Sequence, residues 1–256
     1  LGDVYKRQLS AFLMGIWVGR WIHATFPLRK IHESIQFGVV LMMIGITSFI
    51  STQLIPRTPQ LVVWLNLRVF NNAEDVQFGT ALIVAFAVML IPSIFMGIAF
   101  PLASQARARL VQKFGQPVGD TLGLNTLGSI LGSLCAGFII VPALGLQGGM
   151  VFAACLALGY ALMVLVSVAL HRSRFQGLAV SAVLGAALGL LILGPSSAPR
   201  WDLEELATFW HDRLQIYSDV PKMVEERQNS STELLYYREG QSSTVAVVDR
   251  ITKARD

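Results

Sequence analysis

Polar residues are rare between Leu9 and Gly194, so each one inside an apolar run is a candidate for chemistry. Asn125 lies near the start of an uncharged run, Leu122 to Leu144. An unpaired amide is costly in hydrocarbon, so Asn125 is expected either to bond a neighbouring helix or to line a substrate path. Arg20 sits near the end of a shorter apolar run, Leu9 to Ile22. Its stem can snorkel to lipid headgroups, or its charge can serve gating or substrate contact. His23 and His32 flank the following loop, and no third ligand is spaced to hold a metal with them. Glu74 and Asp75 are paired acids outside any apolar run, which reads as a solvated loop or, alternatively, a proton relay. Cys135 and Cys155 fall inside apolar runs and read as small buried hydrophobes rather than ligands or disulfide partners. No zinc spacing, P-loop, nucleophile–base pair or glycine-rich loop after a strand is visible. No catalytic residue, metal site or cofactor is therefore expected within this chain.

The elements that would position these residues are membrane helices. More than half of the residues are hydrophobic, 14% are charged, and the mean hydropathy is +0.57. That balance excludes an ordinary soluble globule. The apolar runs suggest six spans: Leu9–Ile22, Ile35–Leu54, Phe78–Ala103, Leu122–Leu144, Met150–Leu170 and Gly177–Leu193. The expected fold is an all-α multi-pass bundle over residues 9–194. The fourth span is expected at its centre, because Gly128, Gly132, Ser129, Ser133 and Ala136 form a ridge that lets helices approach closely. Asp120 is placed to cap that helix and favour its positive end. Gly38 and Gly45 are small positions in the second span, and Ala182, Gly185, Ala186 and Gly189 in the sixth. Pro92 and Pro101 imply kinks in the third, while Pro142 and Gly145 break the end of the fourth. Between Pro56 and Val76, Trp64 and Phe70 suit a short interfacial helix.

Charge is partitioned along the chain. Residues 9–194 hold ten Lys/Arg and four Asp/Glu, whereas residues 195–256 hold eight and eleven. The basic excess belongs to loops flanking spans and is no argument for nucleic acid. Arg29, Lys30, Arg107, Arg109, Lys113, Arg172 and Arg174 fall on one side of the bundle, and Arg57 and Arg68 on the other. The positive-inside rule places the first set in the cytoplasm and everything after Gly194 outside.

Residues 1–8, LGDVYKRQ, read as a non-native leader. Residues 195–256 form a polar tail. Asp202 and Glu205 have capping-box spacing, with Leu203, Leu206, Trp210, Leu214 and Tyr217 on one helical face. ELLYYREGQSSTVAVVDR then reads as a β-hairpin turning at Glu239–Gly240.

Two stretches resemble one family. NTLGSILGS with a helix ending in P-x-L-G-L, together with GIWVGRW, resembles the membrane region of spermidine synthase-like proteins. These fuse a major-facilitator-like helical part to a polyamine aminopropyltransferase domain. W-D followed by a helix and LLYYREGQSSTVAVV resembles the start of that second domain, whose first hairpin precedes a Rossmann-like fold. The resemblance implies an integral membrane protein of the bacterial cytoplasmic membrane, with the lipid bilayer as its partner. It implies decarboxylated S-adenosylmethionine as donor and a polyamine as acceptor, both bound by a domain that this chain only begins. Tyr236, Tyr237, Glu239 and Gln241 match the family's hairpin, either as structural residues or as part of a polyamine pocket. The other reading is a major-facilitator-like transporter or transport-associated module whose soluble tail is regulatory.

Overall fold

The computed structural model describes residues 2–26, 31–68, 77–111, 116–170, 200–202, 231–239 and 244–251. These are mostly helical, with a small antiparallel sheet. The helices are α1 (Gly2–Thr25), α2 (Glu33–Leu54), α3 (Thr58–Arg68), α4 (Gln77–Val111), α5 (Gln116–Cys135) and α6 (Val141–Leu170). A 3-10 turn, Ile55–Arg57, joins α2 to α3, and a π turn, Ala136–Ile140, joins α5 to α6. Strands β1 (Ser231–Glu239) and β2 (Thr244–Ile251) pair antiparallel. The sixth expected span, the Glu74–Asp75 loop and the expected tail helix after Asp202 lie outside the described residues.

Three stretches are long and apolar enough to cross a membrane: Glu33–Arg57, Phe86–Ala108 and Pro117–Val168. Their surfaces say the same. Many large apolar side chains are left exposed on them, among them Ile50, Ile91, Leu124, Leu131, Phe138, Leu156 and Met163. Contiguous apolar surface on this scale is not tolerated in water but is ordinary against lipid.

Pro117–Val168 covers 52 residues, more than one crossing requires. It is broken at Gly145, which sits at φ 71° and ψ 174°. A positive φ strains any residue with a Cβ, so glycine is suited to this reversal. The bend is sharp. A Cβ added at Gly149 would lie 3.3 Å from Ile140 Cγ2, although nine residues of straight helix would separate them by about 13 Å.

Packing is carried by α4 and α2. α4 lies against α1 and α2, and α2 lies against α4 and α6. The α1–α4 contact runs through GIWVG. A Cβ added at Gly15 would meet Ser93 Cβ at 2.5 Å, one at Gly19 would strike the Ile94 carbonyl, and one at Gly97 the Ile16 carbonyl. Backbone meets backbone here, the close approach that small residues permit in membranes. Gly38 and Gly45 do the same on α2, against Leu165 and against Leu158 with the Ala154 carbonyl. Met42, Leu158 and Ala161 form the small buried core beside them.

The expectation of a central fourth span is overturned. α5 is exposed from Leu122 to Cys135, and Gly128 and Gly132 have open space where a side chain would go. Among the described residues α5 meets α4 near Pro117 and Asp120 and has no other neighbouring helix along Leu122–Cys135. Small residues permit close packing, but they do not supply the partner. One further reading changes: Asp120 lies inside α5, which begins at Gln116, and so cannot be its cap. α1 extends from Gly2, beyond the expected first span, and Pro92 and Pro101 both lie within the one helix α4.

These contacts set an expectation for detergent-solubilised protein. Gly97→Leu should lower stability by at least the roughly 1–3 kcal/mol of overpacking, because the obstacle is backbone. Gly132→Leu should leave the melting temperature unchanged. A thermal melt of both variants checks the contrast.

Candidate functional site

The most ordered polar arrangement is at the C-terminal end of α2. Ser51 and Thr52 are buried there, Thr52 completely. The Ser51 hydroxyl donates to the Val88 carbonyl on α4 at 2.8 Å. Sequence explains why that carbonyl is free. In an α-helix it would accept from residue 92, and Pro92 has no N–H. Ser51 therefore supplies across the helix interface what proline withholds within α4.

The tail reaches the same place. Trp201 is 7% exposed, although the residues on either side of it are exposed. Its indole Nε1–H donates to the Thr52 carbonyl at 3.1 Å, and its backbone N–H donates to Gln147 Oε1 at 3.1 Å. Gln147 follows the Gly145 break, in the first turn of the straight part of α6. The tail thus rests on the Gly145 end of α6. That helix ends at Leu170, some 24 residues or about 36 Å away. Leu170 and Trp201 therefore lie towards opposite ends of α6. Beside Trp201's acceptor, the Gln53 side-chain nitrogen is buried without a hydrogen-bond partner.

The opposite end is held by exposed polar pairs. Arg107 on α4 contacts Asp120 on α5 at 3.3 Å, with 49% and 34% of the side chains exposed. At that exposure the pair is worth at most about 1 kcal/mol. Gln105 meets His23 at 3.1 Å, joining α4 to α1. His32 caps α2, its Nδ1 accepting from the Ser34 N–H at 3.3 Å, a role that its position beside a loop did not reveal.

The residues expected to carry chemistry are not gathered. Arg20 is exposed on α1. Asn125 is exposed on α5, and its amide makes no hydrogen bond among the described residues. The two expected roles for Asn125, an interhelical bond or a lining position, both require a neighbouring helix, and none lies beside it among the described residues. Cys135 and Cys155 are free, but neither is buried: Cys135 is exposed and Cys155 half-buried. Among the described residues no three His, Cys, Asp or Glu come together to hold a metal. In the hairpin, Tyr236 pairs with Val247, Tyr237 with Ala246 and Glu239 with Thr244. Gln241 lies outside the described residues.

Sequence reading missed Ser51, Thr52, Gln147 and Trp201. A signal for one of them exists: a buried hydroxyl on one span and a proline within the next suggest a donor and an orphaned carbonyl. No protein-family model, curated protein or solved structure matches the chain.

Ser51→Ala should leave the half-buried Val88 carbonyl unpaired, lowering stability by about 1–3 kcal/mol. Pro92→Ala restores a local N–H, so in that background the Ser51 substitution should cost much less. Chemical or thermal denaturation of the four proteins in one detergent gives the comparison.

Proposed function

We propose that this chain is the membrane region, with the start of the soluble domain, of a spermidine synthase-like integral membrane protein. The observation that supports this reading best is the change of architecture along one chain. Apolar helices continue to Leu170, and the stretch LLYYREG…TVAVV then forms an antiparallel hairpin. The hairpin is of the kind the family resemblance implies at the start of the aminopropyltransferase domain. In this reading the bundle anchors and positions that domain, and polyamine and donor are bound by residues beyond the hairpin. The chain's own contribution is insertion, packing and the fixed exit of the tail at Trp201.

Six spans follow from the same reading. α1, α2 and α4 give three, and the stretch broken at Gly145 gives two. Gly177–Leu193 would supply the sixth, since Leu170 and Trp201 lie towards opposite ends of α6. With Arg107 facing the cytoplasm, Trp201 and the hairpin fall on the outer side. Each Lys or Arg near an anionic leaflet is worth about 1 kcal/mol, so an excess of five on one side is a strong bias.

Two measurements test this. Purified chain incubated with putrescine and decarboxylated S-adenosylmethionine should yield no spermidine above a heat-killed control. Coding sequence beyond Asp256 should contain a glycine-rich acidic loop after a strand. Uptake of labelled polyamine by proteoliposomes of the purified chain would instead favour the transport module. For sidedness, a single cysteine at Ser242, without Cys135 and Cys155, should react with an impermeant maleimide in intact cells. Labelling only after lysis would place the hairpin in the cytoplasm.

A further inference from the structure

α2 ends where its own sequence cannot finish it. The Thr52 carbonyl would take its helical hydrogen bond from residue 56, and residue 56 is proline. The N–H of Ile55, one residue earlier, is committed to the Ser51 carbonyl. The Thr52 carbonyl therefore has no local donor, in a residue with no exposed surface. Its partner comes from 149 positions along the chain, the indole N–H of Trp201 at 3.1 Å. The Trp201 backbone N–H is taken by Gln147 on α6, so one residue bridges the ends of two packed helices.

We propose that Trp201 is a removable cap for α2, which makes docking of the tail and completion of the bundle's end a single equilibrium. When the indole is seated, the Thr52 carbonyl is paired, the α2 and α6 ends are tied, and the tail leaves the bundle at a fixed point. When it is withdrawn, a buried carbonyl is orphaned, a cost that opposes release. A tail domain that changes position must break this bond first. Conversely, a rearrangement at the α2–α6 end withdraws the acceptor from under the indole. The coupling depends on Pro56. A residue with an N–H at that position would give the Thr52 carbonyl a donor from within α2, so that losing the indole would no longer orphan it.

The test uses the full chain in detergent or nanodiscs, with Cys135 and Cys155 replaced and a nitroxide on Arg200→Cys. Trp201→Phe keeps the buried ring and removes only the N–H. With Pro56 present, this substitution should raise the mobile fraction of the spin label several-fold and lower the melting temperature. In Pro56→Ala, where the Thr52 carbonyl keeps a helical donor, Trp201→Phe should lower the melting temperature and raise the mobile fraction much less. Equal effects of Trp201→Phe in both backgrounds would show that the indole N–H acts elsewhere and overturn the proposal. So would the absence of any effect when Pro56 is present.

Discussion

A backbone carbonyl that proline has deprived of its donor must find another one, because hydrocarbon offers no water to supply it. This constraint organises the described part of the molecule. Pro92 frees the Val88 carbonyl, and Ser51 pairs with it. Pro56 frees the Thr52 carbonyl, and Trp201 pairs with it. Both repairs meet at adjacent residues of α2, the helix that touches both α4 and α6. Prolines that would weaken isolated helices thus become the reason why particular helices, and the tail, must sit together.

The glycine contacts set how closely they sit. At Gly15, Gly19 and Gly97 the α1 and α4 backbones touch, and at Gly38 and Gly45 α2 admits the Leu165 and Leu158 side chains of α6. Without a hydrophobic drive between helices in lipid, such contacts and the few interhelical hydrogen bonds are what hold the bundle. α5 shows the converse. Its glycines and Asn125 have the composition of an interface, yet they face open space. The Gly145 reversal and the Arg107–Asp120 pair fix its two ends.

Much of this was legible in the sequence. Apolar run lengths located α2, α4 and the stretch that Gly145 divides, because burial in lipid demands long uncharged segments. The hairpin's two strands were legible from their β-rich composition, while Gly240 of the expected turn lies outside the described residues. The small positions Gly38 and Gly45 were read correctly. The central placement of α5 was not, because small residues encode tolerance for a neighbour and not its identity. The same ambiguity hid the packing role of GIWVG, whose two glycines name no partner until α4 is seen against them. Asp120 was misread as a cap because the helix begins four residues earlier. Trp201 was invisible as a cap, since nothing local relates it to Thr52. Arg20 and Asn125 were found as unusual residues in apolar runs, but rarity alone does not assemble a site.

The claim that tertiary donors replace those removed by proline is tested most directly at the Val88 carbonyl. A carbon-13, oxygen-18 label there isolates one amide I band in the infrared spectrum of the reconstituted protein. The account predicts a hydrogen-bonded frequency in the native chain and a shift to higher wavenumber in Ser51→Ala. A band already at the free-carbonyl frequency in the native chain, or one unmoved by the substitution, would contradict it.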